Sequence, residues 1–113
     1  MAMTPEGKVK KKIDAMLKEL GVWYFKPQAG AFGKSGVPDY IICVSGHFVG
    51  IEAKADATKK PTALQDQCMK KIAVAGGVSF VVYDDECVEY VRWFLAGVVA
   101  MGPDIAPPDR AVN

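Results

Sequence analysis

The feature that most constrains this chain is the spacing of two strand-forming runs, Tyr40–Val44 and His47–Ile51, which are separated only by Ser45-Gly46. Both runs are rich in β-branched and aromatic residues. A two-residue linker ending in glycine suits a primed turn, whose positive φ angles match the twist of the flanking strands. Counting outward from that turn pairs Val44 with His47, Ile42 with Val49 and Tyr40 with Ile51, and one step further sets Asp39 opposite Glu52. Side chains alternate faces with a period of two, so Glu52 and Lys54 share the face of Asp39 while Ala53 points the other way.

This register creates an electrostatic conflict. Directly opposed Cβ atoms lie about 4.5–5.5 Å apart, where two carboxylates repel unless a positive charge stands between them. A hard divalent cation resolves it, because Mg²⁺ takes oxygen ligands from one or two carboxylates and fills the rest of its shell with water and substrate phosphate. Lys54, one pleat beyond Glu52, then supplies a fixed positive charge for an attacking water or a phosphate in the transition state. Each of the three residues alone reads more readily as a solvated strand end. All three in one register point to hydrolytic metal chemistry.

Pro38-Asp39 followed by Glu52-Ala53-Lys54 resembles the PD-(D/E)XK nuclease motif, and Gly36-Val37-Pro38-Asp39, Ile51-Glu52-Ala53-Lys54 and Gln65 resemble its VRR-Nuc branch. The resemblance spans residues 5–83. It implies a restriction-endonuclease-like α/β core, a mixed sheet whose antiparallel hairpin is flanked by helices. It further implies Mg²⁺ or Mn²⁺ as cofactor, held by Asp39, Glu52, the Ala53 carbonyl and Glu6, with Lys54 positioning the nucleophilic water and Gln65 supporting it. Small stand-alone members resemble phage or bacterial proteins that act as homodimers on four-way DNA junctions, so the implied activity is Holliday-junction resolution. A nuclease of flaps, nicks or duplex is the alternative, and a non-catalytic DNA-binding module of the same fold is a further one.

The rest of the chain fits one nuclease domain over residues 1–101, followed by a loose proline-rich tail at 102–113. With 113 residues, half of them hydrophobic, one core is affordable. No apolar run approaches the length of a membrane span, and the first residues turn lysine-rich where a signal segment would be apolar, so the expectation is a cytoplasmic protein with no membrane partner. Net charge is only +1, yet residues 1–60 carry ten Lys against six acidic residues, while residues 61–113 carry four basic against seven. A positive first half can meet phosphates although the total is near zero. Cys43, Cys68 and Cys87, each among apolar neighbours, read as reduced core cysteines. His47 has no second ligand at metal spacing and reads as a surface residue.

In chain order, Thr4 caps a helix over residues 5–20 that ends at Gly21, with Val9, Ile13, Met16, Leu17 and Leu20 as its buried stripe. Glu6 lies in the first turn on that stripe and reads equally as an acid favoured by the helix dipole or as a site residue. Lys8 and Lys12, off the stripe, are candidates to track a DNA backbone. Val22–Phe25 is the next strand, and Lys26 at its end is a further candidate. A glycine-rich loop at 28–36 follows, with Lys34 and Ser35 as a possible DNA clamp. Its Gly33-Lys34-Ser35 imitates a phosphate-binding loop, but Gln28 stands where that motif needs glycine and Gly36-Val37-Pro38 blocks the helix that should follow. A helix from Thr62 to Ala75 is expected to bury Leu64, Cys68, Met69 and Ile72. Gln65 on that arc either satisfies a strand end or holds substrate or water. A strand at 78–83 and a helix at 85–100 complete the order. The aromatic excess of the last helix, Tyr90 and Trp93, reads as a self-association surface or as a helix wedged into a covered core.

Overall fold

The turn at the centre of the chain closes on Ser45 at φ 48° and Gly46 at φ 81°. Positive φ at both central residues is the signature of the type I′ turn. In the computed structural model, which describes residues 3–28 and 35–102, the elements run α1 (Pro5–Leu20), β1 (Trp23–Phe25), β2 (Tyr40–Val44), β3 (His47–Ala53), α2 (Ala63–Val74), β4 (Val78–Val82) and α3 (Asp85–Met101). The hairpin register is the predicted one, with Tyr40 opposite Ile51, Ile42 opposite Val49 and Val44 opposite His47. The strands form one mixed sheet in the order β1-β2-β3-β4, antiparallel from β1 to β3 and parallel between β3 and β4. This is an α/β fold in which α2 makes the crossover.

The register is locked by burial on one face. Tyr40, Ile42, Val49, Ile51, Ala53 and Val82 are fully buried and pack against Ile13, Met16 and Leu17 of α1 and Val91 and Leu95 of α3. Burying a branched side chain contributes about 1.5–3 kcal/mol, so a one-residue slip exposing Ile42, Val49 and Ile51 would cost on the order of 5 kcal/mol or more. That rivals the whole net stability of a typical domain, about 5–15 kcal/mol. Strand β3 also runs two residues past the expected end. Glu52 and Ala53 pair with Val81 and Val82 of β4, so the acidic position is held in the parallel β3–β4 ladder beyond the last β2 pair.

Helix α1 follows its local signals. The Thr4 hydroxyl accepts from the Gly7 N–H at 3.0 Å, Pro5 opens the helix, and Gly21 closes it in the left-handed region with its N–H on the Leu17 and Lys18 carbonyls. Helix α3 is capped by Asp84, whose carboxylate accepts from the Cys87 N–H at 2.8 Å.

Two expectations are corrected. Helix α2 contains no fully buried residue: Cys68, Met69 and Ile72 are half-buried and Leu64 is exposed, because α2 lies at the β4 margin of the sheet instead of within a second packed layer. Nor are the three cysteines all in the core. Cys43 is exposed, while Cys68 and Cys87 are half-buried and free. Strand alternation turns Cys43 away from Ile42 and Val44 onto the outer face, where it pairs across strands with exposed Trp23 and Phe48. Among the described residues, no helix is long and apolar enough to cross a membrane. The tail from residue 103, with its Pro103-Asp104, and residues 29–34 of the glycine-rich loop lie outside the described residues.

Candidate active site

The chain reaches the site through two tight packings. Pro38 is fully buried and lies flat on Gly50, where a Cβ would meet the Pro38 Cγ at 2.9 Å. Gly36 adopts φ 83°, and a Cβ there would stand 2.5 Å from the Leu64 carbonyl oxygen and 3.0 Å from the Gln65 nitrogen. Only glycine lets this loop pass the first turn of α2. Gly36→Ala is therefore expected to lower stability by about 2–3 kcal/mol, combining left-handed strain with a backbone clash, as measured by urea unfolding. An unchanged midpoint would show that the loop does not need this approach.

Asp39 follows immediately and is fixed by the strand opposite. Its Oδ2 accepts from the Ala53 N–H at 2.8 Å, which leaves Oδ1 directed toward helix α1. Glu52, the one buried charged residue among those described, is only 4% exposed. Its Oε2 accepts from the Gln65 side-chain nitrogen at 2.8 Å and lies 3.8 Å from the Lys54 ammonium. Ala53 between them is buried in the core, as alternation requires.

Gln65 connects these groups. Its Oε1 accepts from Thr62 N–H at 2.9 Å and from Lys54 Nζ at 2.8 Å, while its Nε2 donates to Glu52. The Gln65 N–H in turn donates to the Thr62 hydroxyl at 3.2 Å, which completes a capping box at the start of α2. Reversing the amide would set its NH₂ against two donors, so the partners fix its orientation. One side chain thus caps a helix and ties the acidic strand end to the lysine.

The electrostatics follow from burial. Removal from water, and then the nearby charge of Asp39, raise the Glu52 carboxyl from 4.5 to about 7, with Lys54 pulling the other way. On the far side of Asp39, Lys10 of α1 places its ammonium 3.6 Å from Asp39 Oδ1 and 3.4 Å from Glu6 Oε2. Burial opposes the charged form of Lys10, but Asp39 and Glu6 together outweigh it and hold its pKa above the ordinary lysine value. Among the described residues, no three His, Cys, Asp or Glu side chains converge as a ready metal-binding group; Glu6 meets Lys10 before it meets the other two acids.

The structure therefore brings Asp39, Glu52, Lys54 and Gln65 together at the open end of the hairpin, with Glu6 joined to them through Lys10. The other candidates lie differently. Lys12 is paired with Asp85 and so clamps α1 to α3. Lys26 is tied to Asp14 at 2.9 Å and lies over the Tyr40 ring. Lys8 and Ser35 are exposed, and Lys34 is outside the described residues. Sequence reasoning missed Lys10 as well as Asp14 and Tyr40. The Tyr40 hydroxyl sits 2.9 Å from Asp14 Oδ1 and 3.0 Å from the Lys10 carbonyl oxygen, holding α1 at a fixed height against β2. Burial first, and then the Asp14 contact, push the Tyr40 hydroxyl well above the usual phenol range, so it stays a proton donor. The signal was present in the i, i+4 spacing of Glu6, Lys10 and Asp14, which sets one charged line beside the apolar stripe.

No protein-family model matches the chain, and none of the curated proteins matches it in sequence. Among solved structures, one described as a VRR_NUC domain superposes with a TM-score of 0.69 at 28% sequence identity, covering 79% of this chain and 95% of its own. That likeness takes in the α/β core just described, and in this chain the core carries Pro38-Asp39, Glu52-Ala53-Lys54 and Gln65 at one end of the hairpin. The chain has the α/β fold of a VRR-Nuc domain, the nuclease-like fold of the PD-(D/E)XK class.

Proposed function

We propose that this protein is a metal-dependent, structure-specific DNA endonuclease that acts as a homodimer, with four-way junctions as its preferred substrate. The observation that carries the reading is the cluster of Asp39, Glu52, Lys54 and Gln65 on a VRR-Nuc core. The donor set fits a hard cation. Two acids and the Ala53 carbonyl are what Mg²⁺ or Mn²⁺ asks of a protein when substrate and water complete the shell. Burial, and then the charge of Asp39, make Glu52 reluctant to ionise, and a cation beside the two acids would relieve that. When bound, the cation supplies Lewis acidity at the scissile phosphate and a more acidic water.

The chain's own residues do the rest. Hydrolysis adds a hydroxyl to phosphorus and a proton to the departing oxygen, with negative charge growing on the phosphate oxygens. Lys54 is held by Gln65 and faces Glu52, which leaves N–H capacity for water or for a phosphate oxygen. Gln65 keeps that ammonium from drifting and so acts as a positioning residue. Exposed Lys8 and Ser35 lie on surface available to a DNA backbone.

A two-fold junction calls for two opposed sites, and one chain supplies one. Support for self-association comes from α3, where Tyr90 is 57% and Trp93 70% exposed and Met101 extends the same stripe. Trp93→Glu is expected to shift the protein from dimer to monomer in sedimentation and to reduce junction cleavage at least tenfold, while its metal-dependent thermal shift remains. A wild type that stays monomeric at micromolar concentration would remove the dimer from this reading. The central test compares four-way, flap and linear DNA with Mg²⁺, Mn²⁺ or chelator. Junctions cut fastest and only with metal is the expected result. No cleavage of any DNA with either ion would overturn the catalytic reading.

A further inference from the structure

We propose that Lys10 is the resident counter-ion of the acid cluster and competes with the divalent cation for Asp39, so that metal loading requires its ammonium to withdraw. The inference rests on the metal-dependent reading above and deepens it. Three carboxylates, Glu6, Asp39 and Glu52, face two ammoniums, Lys10 and Lys54. The two lysines are held in different ways. Lys54 is 12% exposed and anchored on the neutral amide of Gln65, so moving it would break a specific hydrogen bond. Lys10 is 38% exposed and held by carboxylates alone.

Position completes the argument. Asp39 Oδ2 is occupied by the Ala53 N–H, and Oδ1, the oxygen left for a cation, is the one Lys10 faces at 3.6 Å. A cation bonded to that oxygen at about 2.0–2.1 Å would stand within a few ångströms of the ammonium, where like charges repel strongly. The Lys10 backbone cannot yield, since its carbonyl lies 3.0 Å from the Tyr40 hydroxyl. The side chain can, because Glu6 one turn earlier still receives it once Asp39 is released. Lys10 thus keeps the acids partly neutralised in the metal-free protein and stands between Glu6 and the other two carboxylates.

The test is calorimetric titration of Mg²⁺ and Mn²⁺ into DNA-free wild type, Lys10→Met, Lys10→Gln and Lys10→Arg, with melting temperatures measured alongside. Both neutral variants are expected to bind metal about tenfold more tightly, to melt lower without metal, and to gain a larger thermal shift on saturation. Lys10→Arg should behave as wild type. Metal affinity unchanged or weakened in both neutral variants, with wild type binding normally, overturns the role of Lys10 and leaves the nuclease reading intact. A wild type that takes up neither ion overturns the metal-dependent reading and this proposal with it.

Discussion

Glu52→Gln is expected to lower metal-dependent DNA cleavage by at least a thousandfold while raising the melting temperature of the metal-free protein at pH 8. Both effects have one origin. Burial, and then the charge of Asp39, raise the folded-state value of Glu52 from 4.5 to about 7, so the folded protein binds this proton more tightly than the unfolded chain does. Its contribution to stability is fully present below about pH 4.5, declines as pH rises, and is lost above about pH 7. At pH 8 the wild type therefore carries an ionised, nearly buried carboxylate beside a second one, at a cost of about 2 kcal/mol after allowance for screening by water. Glutamine removes that charge and keeps an oxygen for the Gln65 amide. The stability difference should shrink toward zero as pH falls from 8 to 4.5. A variant no more stable than wild type across that range would show that Glu52 is not under electrostatic load. Retention of cleavage would remove it from the chemistry.

For Lys54→Ala the expected outcome is a hundred- to thousandfold fall in kcat, with KM for DNA changed by less than about threefold. A donor aimed at developing charge is worth roughly that much in the transition state and little in the ground state. Removing the ammonium also leaves the Gln65 carbonyl oxygen with Thr62 N–H alone and takes away the one charge that favours ionised Glu52. The variant should therefore need a higher pH to reach its maximal residual rate. Single-turnover cleavage across pH 6–9 separates the two effects. Equal product from wild type and Lys54→Ala would end the catalytic role assigned to this lysine.

What local sequence determined is specific. Ser45-Gly46 set the turn, the turn set the register, and the register placed Asp39, just before β2, beside Glu52 of β3. The limits of α1 followed from Thr4, Pro5 and Gly21 for the same reason: a turn or a cap is settled by residues within about four positions of one another. The meeting of Gln65 with Glu52 and Lys54 was legible only in part. The capping box was local, but the contact across 13 and 11 residues depended on where α2 docks.

Only the tertiary structure decided the rest. Lys10 reaches Asp39 across 29 positions, and the ties of Asp14 to Lys26 and Tyr40 depend on how deeply α1 seats on β2. Cys43 and Leu64 look alike in sequence to residues that are buried, yet the sheet face and the marginal placement of α2 leave them exposed. Periodicity tells which residues share a side of one element. Which side finds a partner is set by packing between elements distant in the chain, and that packing is also what brings a competing ammonium to the acids of the site.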